Sequence, residues 1–584
     1  MSDFDKEALE ETERRRREWE EGPLKQQLKR FGISESPNKF YTPVDIKEHD
    51  FVEEVGFPGE YPFTAGKYAS QAPEAAPRRG GGHISGGKGL VRTGRYSGYG
   101  TAEDTRDYYK MMISWGQTAG PNLAFDLPTQ CGYDSDAPEA RGEVGKTGVA
   151  IDTLMDFKTI YEPYVGDLDL DKIATAWTIN PMANIILAMY IALAEERGIP
   201  KDKLRCTPQN DILKEAVARG TTIFPLKPSM RMVRDTIIYS VTDMPALHPV
   251  SIPGHHHREA GASRPQVLAF CLADGIAYIQ LGIDAGLDVD TFAPRLTFLD
   301  WSGSQEIFKE VALRRAARRM WAKIMRERFK AKNPRSWLLR DTGGAMAGFD
   351  NFIRQRPLNN LIRSVLGGVA EALSGDIPTC YPPYDEALGT GHSLEGLQLI
   401  EDAARIITYE ARLCEVLDPL AGSYYVEYLT DEIENGAWEI INEIDKMGGM
   451  VAAVESGWVD REIAKSALTR QRAIETGEQV VVGLNRFIGE EEIEVNINRQ
   501  VPHPYDPEKR AKAEEQQVAK LQEVRKKRDN QAVQRALKQV KEAAQDESVN
   551  IIPPLVDAVK VYVTVGEITN TLKEVFGVWQ DTEI

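Results

Sequence analysis

The sequence predicts an α/β fold, a (β/α)8 TIM barrel with an N-terminal arm and a C-terminal helical extension. Eight short β-type runs alternate with longer helical segments at intervals of roughly 30 to 50 residues, as in a parallel barrel. The chain has 584 residues, of which 42% are hydrophobic and 27% charged, enough for one large domain with appended segments. A doubly wound open sheet shows the same alternation and remains a structural alternative.

The arm is the first element in chain order. Residues 7–21 are mostly charged and predict a helix that ends at Gly22-Pro23, and a polar linker follows as far as Pro43. Because this composition cannot bury a core of its own, we expect residues 1–60 to form an arm and linker that pack on another surface.

The barrel is predicted over residues 61–430, with a glycine-rich inserted loop at 71–91. Residues 184–197 predict a helix ended by Gly198 and Pro200, and residues 305–330 predict another. The predicted strands are 123–127, 173–179, 204–209, 249–253, 295–299, 336–340, 378–381 and 413–417.

Residues 431–584 are predicted to form a helical extension of the barrel. Charge-rich helical sequence begins at Pro507, and its apolar residues recur on one side, as in an amphipathic surface helix or hairpin. These apolar residues are Val518, Leu521, Val524, Val533, Leu537 and Val540.

Composition excludes several classes of protein. The formal charge of −18 disfavours binding to nucleic acid. The longest apolar run, residues 185–194, is about half of what a bilayer-spanning helix needs. The first twenty residues contain nothing like a secretory signal, and five scattered cysteines without a CxxC pair argue against disulfides and zinc. We expect a cytoplasmic protein.

Two local motifs point only weakly to ligands. Gly82, Gly87 and Lys88 match part of a phosphate-binding P-loop, but Gly89 stands where a Ser or Thr is needed, so a nucleotide triphosphatase is disfavoured. His255-His256-His257 follows a predicted strand, where at most the first and third could chelate one metal, and we predict no metal site. A histidine at that end of a barrel strand suits proton chemistry or carbonyl polarisation.

The side chains at alternate positions of the predicted strands, which share one face, are small or polar. An ordinary barrel interior is filled with bulky aliphatic residues instead. If that face points inward, the barrel is hollow and an extended ligand can pass along its axis. The inward set is Ala174, Ala176, Thr178, Thr207, Gln209, Arg295 and Thr297, and the opposite set, suited to face helices, is Trp177, Ile179, Leu296 and Phe298.

Six longer motifs, in this order, give the chain a specific resemblance to a known family. They are residues 95–103 (RYSGYGTAE), 124–129 (AFDLPT), 132–136 (GYDSD), 145–152 (GKTGVAID), 209–215 (QNDILKE) and 292–296 (FAPRL). The chain resembles, from about Tyr61 onward, the catalytic subunit of adenosylcobalamin-dependent acyl-CoA mutases, the methylmalonyl-CoA mutase family. The resemblance implies a barrel threaded by coenzyme A and a radical rearrangement of the acyl carbon skeleton.

The resemblance also implies roles for individual residues. Tyr96 matches a tyrosine that packs between substrate and cofactor, and His256 matches a histidine that hydrogen-bonds the thioester carbonyl. Arg219 matches an arginine that binds the free carboxylate of methylmalonyl or succinyl groups. Tyr68, Ser70, Thr207, Gln209, Arg295 and Thr297 match positions that contact coenzyme A or the acyl part. Gly98, Phe125, Leu127, Glu259, Glu386 and Ala387 match positions beside the corrin or adenosyl group.

Nothing in the chain matches the Asp-x-His-x-x-Gly motif whose histidine coordinates cobalt in this family. The resemblance therefore implies that a separate small subunit supplies the cobalamin-binding domain, and that the protein is the large subunit of a hetero-oligomer. We expect no nucleic-acid or membrane partner.

Several family side chains are replaced around the expected pocket. Polar residues give way to Thr342 and Gly344, a serine to Ala176, and a tyrosine to His255, while Cys380-Tyr381-Pro382 stands where the family has His-Thr-Asn. With Tyr96 and Arg219 retained, this favours a mutase for a substituted malonyl-CoA or succinyl-CoA with a side chain bulkier than methyl. Methylmalonyl-CoA mutase proper and a catalytically silent acyl-CoA-binding paralogue are the alternatives.

Overall fold

The computed structural model describes residues 5–31, 34, 40–69, 96–299, 301, 305–341, 352–380, 382–388, 393–489 and 507–580. Within these ranges the protein is mixed α/β with parallel strands. The strands are β1 (Tyr96–Ser97), β2 (Asn122–Ala124), β3 (Ala174–Thr178), β4 (Arg205–Pro208), β5 (Ser251–Pro253) and β6 (Thr297–Leu299).

The strands lie side by side in chain order. β1 to β4 form one parallel sheet, and β5 pairs with β6 in parallel. The Ser251 amide donates to the Gln209 carbonyl across 2.9 Å, which joins the two sheets, and Phe298 bridges to Asp341 beyond β6. This is the order of a (β/α)8 barrel, although the described residues include no pairing that closes the ring.

Five of the eight predicted strands are present, each shorter than predicted, and β2 begins one residue before its predicted start. The predictions at 336–340 and 413–417 are wrong. Pro334–Trp337 is a helical turn capped by Asn333, and only Asp341 beyond it bridges to β6. Residues 413–417 form turns and bends, and 378–380 are not strand either. Arg295 lies in a 3-10 turn before β6, and β1 was not predicted.

The strand parity prediction is confirmed where β3 and β6 meet the helices. Trp177 is buried against Phe157 and Tyr190, and Phe298 packs edge-to-face on Trp321. On the other face of β3, Ala174, Ala176 and Thr178 are only half-buried, as is Thr207 on β4, whereas Gln209 and Thr297 are buried. Small side chains therefore line the non-helical face of β3 and β4.

Most of the described chain is helical, and the predicted helices at 7–21, 184–197 and 305–330 are confirmed with small shifts of their ends. The first does not end at Gly22-Pro23, because a π-helical turn, Glu20–Leu24, accommodates the proline and leads into a second helix. The helices are α1 (Lys6–Trp19), α2 (Lys25–Phe31), α3 (Ala102–Ser114), α4 (Leu127–Gln130), α5 (Leu154–Ile160), α6 (Ala183–Glu196), α7 (Ile212–Ala218), α8 (Leu226–Thr242), α9 (Gly254–Ala260), α10 (Arg264–Asp284), α11 (Val289–Phe292), α12 (Ile307–Lys323), α13 (Pro334–Trp337), α14 (Leu358–Leu373), α15 (Leu394–Arg405), α16 (Tyr424–Lys446), α17 (Met450–Glu455), α18 (Trp458–Thr476), α19 (Pro507–Lys527), α20 (Asn530–Gln545), α21 (Ile552–Lys560) and α22 (Val565–Phe576).

The C-terminal helices complete a core that the first half of the sheet begins. Every residue of α6 from Ala183 to Ala194 is buried, and such an all-round apolar helix needs cover on every side. α21 packs along α6, and both belong to one hydrophobic cluster with Leu123 and Trp177. As predicted from the pattern, α19 and α20 bury Leu521, Val533 and Val540.

A second cluster surrounds β5 and β6 and centres on α10, α12 and α16. Among the described residues, α10 alone is long and apolar enough to cross a bilayer, and 78% of its apolar window is buried inside the protein. It is therefore accounted for as a core helix that packs between α16 and the strands.

Candidate active site

Tyr96 projects from β1 toward the neighbouring strands. β1 pairs with β2, and β2 pairs with β3, where the Thr178 hydroxyl hydrogen-bonds the Tyr96 phenol. Burial raises the pKa of the Tyr96 phenol, and the nearby Arg219 cation offsets part of this effect. The phenol is therefore neutral at physiological pH and lies within the electrostatic reach of Arg219 and Glu386.

Arg219 and His256 meet at the carboxyl ends of β4 and β5. Arg219 caps the C-terminus of α7, His256 lies on α9 directly after β5, and their Nη1 and Nε2 atoms are 3.2 Å apart. Because a guanidinium can only donate, His256 Nε2 accepts and its proton is on Nδ1. Burial, with the neighbouring His255, Lys214 and Arg219, holds the pKa of His256 well below its usual value. His256 is therefore a neutral imidazole.

Two features of this pair indicate that it receives a ligand. Arg219 is exposed, and within the described ranges no carboxylate lies at ion-pair distance from it. His256 is buried, and its Nδ1 has no hydrogen-bond partner among the described residues. A cation without a carboxylate at ion-pair distance in the described residues and an unused N–H donor suit a ligand with a carboxylate and a carbonyl oxygen.

A buried polar network fixes the helix that presents Arg219. Lys214 Nζ donates to Glu215 at 2.8 Å and to the Gln209 amide oxygen at 2.7 Å, with both ionic side chains fully buried. Asn180 donates to the same two acceptors, at 2.6 Å to Glu215 and 3.0 Å to Gln209, and the Thr221 hydroxyl donates to Glu215. Gln209, predicted to contact substrate, thus has its carbonyl oxygen engaged in holding α7.

The three adjacent histidines do not alternate as on a strand, which corrects the sequence-based picture. They form the first turn of α9, so that successive side chains are about 100° apart around the helix. His257 is fully buried against α10, and His255 lies beside His256 with ring centres 4.1 Å apart and ring planes tilted by 56°. Within the described ranges, no group of three His, Cys, Asp or Glu side chains is arranged to hold a metal ion.

The predicted substrate-binding residues are spread along the strands. Arg295 lies before β6, at the amino-terminal edge of the sheet, and its carbonyl contacts His248 Nδ1 at 3.0 Å. Thr297 on β6 is buried, and its hydroxyl donates to the Val250 carbonyl. Thr207 is half-buried on β4, and Tyr68 is exposed. Arg295 lies at the amino-terminal edge of the sheet and His256 at its carboxyl-terminal edge, so the predicted positions extend across the sheet. Ser70 lies outside the described residues.

The predicted cofactor-binding residues differ in their access to solvent. Leu127 is exposed at the start of α4, and Glu259 is exposed near the end of α9. Glu386 and Ala387 are half-buried, whereas Phe125 is wholly buried in the core. At Gly98 a Cβ would lie 2.2 Å from the Ala124 carbonyl oxygen, so a side chain is excluded there. Apolar Leu127 and Ala387 with the acceptors Glu259 and Glu386 fit a broad group with apolar faces and amide donors, as a corrin has.

Comparison with known proteins identifies the family. The family model described as methylmalonyl-CoA mutase matches residues 34–578. The chain belongs to the methylmalonyl-CoA mutase family. It is 39% identical over 546 residues to the 2-hydroxyisobutanoyl-CoA mutase large subunit of Aquincola tertiaricarbonis, which covers 93% of this chain and 91% of that protein.

Two relatives named methylmalonyl-CoA mutase are longer than this chain. The Escherichia coli protein is 40% identical over 482 residues, 82% of this chain and 65% of that protein. The human mitochondrial protein is 38% identical over 490 residues, 83% of this chain and 62% of that protein. The chain thus spans about two thirds of these mutases, and mutases are isomerases that act by intramolecular transfer.

Sequence reasoning missed the residues that support the mutase site. Lys214 and Glu215 lie inside the QNDILKE motif, and Asn180 directly follows a predicted strand, so their positions were visible without an assigned role. Thr178 was predicted to face the barrel interior, but its hydrogen bond to Tyr96 was not. Helical spacing gives no sign that Lys214 and Glu215 both turn inward, which the structure shows.

Proposed function

We propose that this chain is the large subunit of an adenosylcobalamin-dependent acyl-CoA mutase that interconverts a substituted malonyl-CoA and the corresponding succinyl-CoA. The observation that carries the substrate class is Arg219, an exposed cation without an acidic partner in the described residues, 3.2 Å from His256. Family membership supports the reaction class, and the named large subunit among the relatives supports a separate small subunit that holds the cobalamin.

The proposal includes a closed (β/α)8 barrel with coenzyme A along its axis. Strand pairing in chain order and the small, half-buried residues of β3 and β4 support it. Arg295 at one edge of the sheet and His256 at the other are then the two ends of an extended ligand site.

The chain's own residues would bind and orient the acyl group. Arg219 binds the free carboxylate by charge-assisted hydrogen bonds, which are stronger than its contact with a neutral imidazole. His256 then donates from its ring to the thioester carbonyl and holds the migrating group in place. Tyr96, neutral and fixed by Thr178, packs beside the acyl group and excludes water.

Leu127, Glu259, Glu386 and Ala387 would hold adenosylcobalamin against this face of the sheet. When bound, the cofactor supplies radical chemistry by homolysis of its cobalt–carbon bond.

The experiment is a mass-balanced isomerisation assay on the complex of this chain, its small subunit and adenosylcobalamin. The esters are methylmalonyl-CoA, larger 2-substituted malonyl-CoAs, isobutyryl-CoA and 2-hydroxyisobutanoyl-CoA, with products separated by chromatography. We expect a carboxylated ester to give an isomer of unchanged mass. Conversion of the uncharged esters alone would refute the carboxylate assignment. No conversion and no radical signal with any ester would favour the silent paralogue.

A further inference from the structure

A closed polar cluster lies beneath the candidate site and has no part in the chemistry above. His257 on α9, Asp274 on α10, and Asp211 and Lys214 at the start of α7 are all fully buried. His257 Nε2 lies 3.5 Å from Asp274 Oδ2. Within the described residues, neither side chain has a hydrogen-bond partner, so each of these buried polar groups has the other as its polar neighbour at ion-pair distance.

Such a pair is a costly way to fill a core. Burial of polar groups without full hydrogen bonding is unfavourable, and apolar residues of similar volume are often as stable or more so. Burial lowers the pKa of His257 to about 4, so this imidazole is neutral at physiological pH, and burial raises the pKa of Asp274 well above its usual value. The contact therefore adds little to stability, and its effect is to keep the His257 ring facing Asp274.

The cluster connects both helices that carry the site. His257 is the residue after His256 on α9, a helix of two turns, and its ring packs 5.6 Å from that of Phe270 on α10. Asp211 caps α7, which ends at Arg219, and accepts at 2.7 Å from the Tyr278 hydroxyl, also on α10. α10 thus holds α9 through His257 and α7 through Asp211.

We propose that His257 is a positioning residue, whose contact with Asp274 fixes the rotation of α9 and thereby the direction of the His256 ring. The proposal rests on the proposed function for the role of His256. A two-turn helix packed only by apolar contacts could rotate or slide by fractions of an ångström. At the His256 ring such a shift changes its distance from the thioester carbonyl, which affects the chemical step more than the binding of coenzyme A.

The test uses the assembled complex and the ester that the assay above identifies. We expect His257→Leu to lower kcat at least tenfold while KM changes less than threefold. Asp274→Leu is expected to do the same, and the double variant, which restores an apolar contact, to regain thermal stability without regaining kcat. His257→Gln, which keeps a donor toward Asp274, is expected to recover part of the lost kcat.

The matched control is His49→Leu, because His49 is another buried histidine paired with a carboxylate, Glu54 at 2.8 Å, away from α9. It is expected to lower stability and leave kcat unchanged. If the double variant regains kcat together with stability, the pair acts by packing alone and the proposal is wrong.

A crystal structure of the His257→Leu variant gives a readout that needs no turnover. We expect the His256 ring to move by more than 1 Å relative to Arg219, and an unchanged ring position would overturn the proposal. If wild-type protein converts no ester, the proposed function fails, whereas the positioning of His256 is still decided by this structure.

Discussion

The contact between Arg219 and His256 joins two groups that a carboxylated acyl-CoA would separate. Arg219 donates to a neutral ring nitrogen, and a carboxylate is a stronger acceptor for a guanidinium than imidazole is. Once Arg219 turns to a substrate carboxylate, the His256 ring loses a partner and can face the thioester. Binding of the carboxylate and orientation of the carbonyl are therefore coupled through one side chain.

Substitution of Arg219 tests this coupling. Arg219→Gln keeps a hydrogen-bond donor but removes the charge, and a charged hydrogen bond contributes about 1.5–3 kcal/mol. We expect kcat/KM for the carboxylated ester to fall roughly 10- to 100-fold, measured as steady-state isomerisation by the complex.

The control for this change is Arg535→Gln, on the solvent-facing side of α20, where the arginine side chain is 67% exposed. It should leave kcat/KM unaltered. Equal turnover by the Arg219 variant and wild-type protein would show that no substrate carboxylate is bound there.

The sequence predicts which residues reach the site better than it predicts what supports them. Tyr96, Arg219 and His256, found by resemblance at three distant positions, converge in the structure. Lys214 and Glu215 were not assigned a role, because ionic residues in a short helix are usually exposed. Only the fold shows that Gln209 and Asn180 pair with them inside the core.

At the scale of elements, the strand predictions are correct where apolar runs are flanked by helices. They are wrong where the backbone turns. Residues 413–417 lie between Arg412 and Asp418, both with positive φ, and Asp418 pairs with the buried Arg315. The pattern of hydrophobic residues does not predict such turns. β1 was missed for a different reason, since two residues are too few to show a period.

α12 contributes four buried arginines, which fasten several loops to one helix. Arg314 donates to the Asp376 carboxylate, which also pairs with Lys67 at 2.5 Å. Arg318 donates to the carbonyls of Phe63 and Thr64. The segment before the predicted coenzyme A contact Tyr68 is thus tied to α12 and to the turn after α14. This makes Asp376 the shared anion of two elements.

Loss of that anion should release the segment. Although burial acts in the opposite direction, Lys67, Arg314 and Arg318 lower the pKa of Asp376 below its ordinary value. Asp376→Asn should therefore destabilise the contact by about 3–5 kcal/mol at pH 7, as for a broken buried ion pair. We expect faster hydrogen exchange of the amides in residues 57–69, measured by mass spectrometry.

The effect of Asp376→Asn on hydrogen exchange should depend on pH. A lowered pKa in the folded state stabilises the protein above the unfolded value of about 3.9, and this contribution is lost as the pH falls below it. The difference in exchange between variant and wild type should therefore shrink below about pH 4. The exposed Asp167→Asn is the control, and a constant difference at all pH values would contradict the ion-pair assignment.

The C-terminal helices depend on another single arginine. Arg231 of α8 donates to the carbonyls of Ala543, Ala544, Asp546 and Val549, where α20 ends. Arg231→Met keeps the apolar stem and leaves these carbonyls without that donor. We expect the thermal midpoint to fall by several degrees, and limited proteolysis to cut near residues 546–550.

The neighbouring Arg234 provides the comparison. Among the described residues, its guanidinium hydrogen-bonds Asp235 and the Glu547 carbonyl, near the surface. Arg234→Met should be cut no faster than wild type. If Arg231→Met is equally resistant, the apolar packing of α20 to α22 suffices to hold the C-terminal helices.

For the whole molecule, the order of the strands was predictable from the alternation of elements and the closure of the sheet was not. Each parallel pair follows from consecutive strands joined by a helix, so β1 to β6 lie in chain order. Closure depends on the last strands, where residues 378–380 have no regular secondary structure, residues 413–417 form turns and bends, and Tyr381 lies outside the described residues. The parity of β3, in contrast, was readable because Trp177 and Ala176 differ so much in size.

A hollow axis makes one prediction that a filled barrel does not. Ala176 is half-buried on the face of β3 away from the helices, between Asn122 of β2 and Thr207 of β4. In a filled interior, Ala176→Leu would be overpacked and would cost about 1–3 kcal/mol of stability. In a hollow one the added side chain occupies ligand space, so we expect at least tenfold weaker binding of coenzyme A, by titration calorimetry, with an unchanged thermal midpoint.

Ala532→Leu on α20 is the matched control, expected to alter neither quantity. A lowered midpoint with unchanged affinity would mean that the strands enclose a packed core and that coenzyme A binds elsewhere.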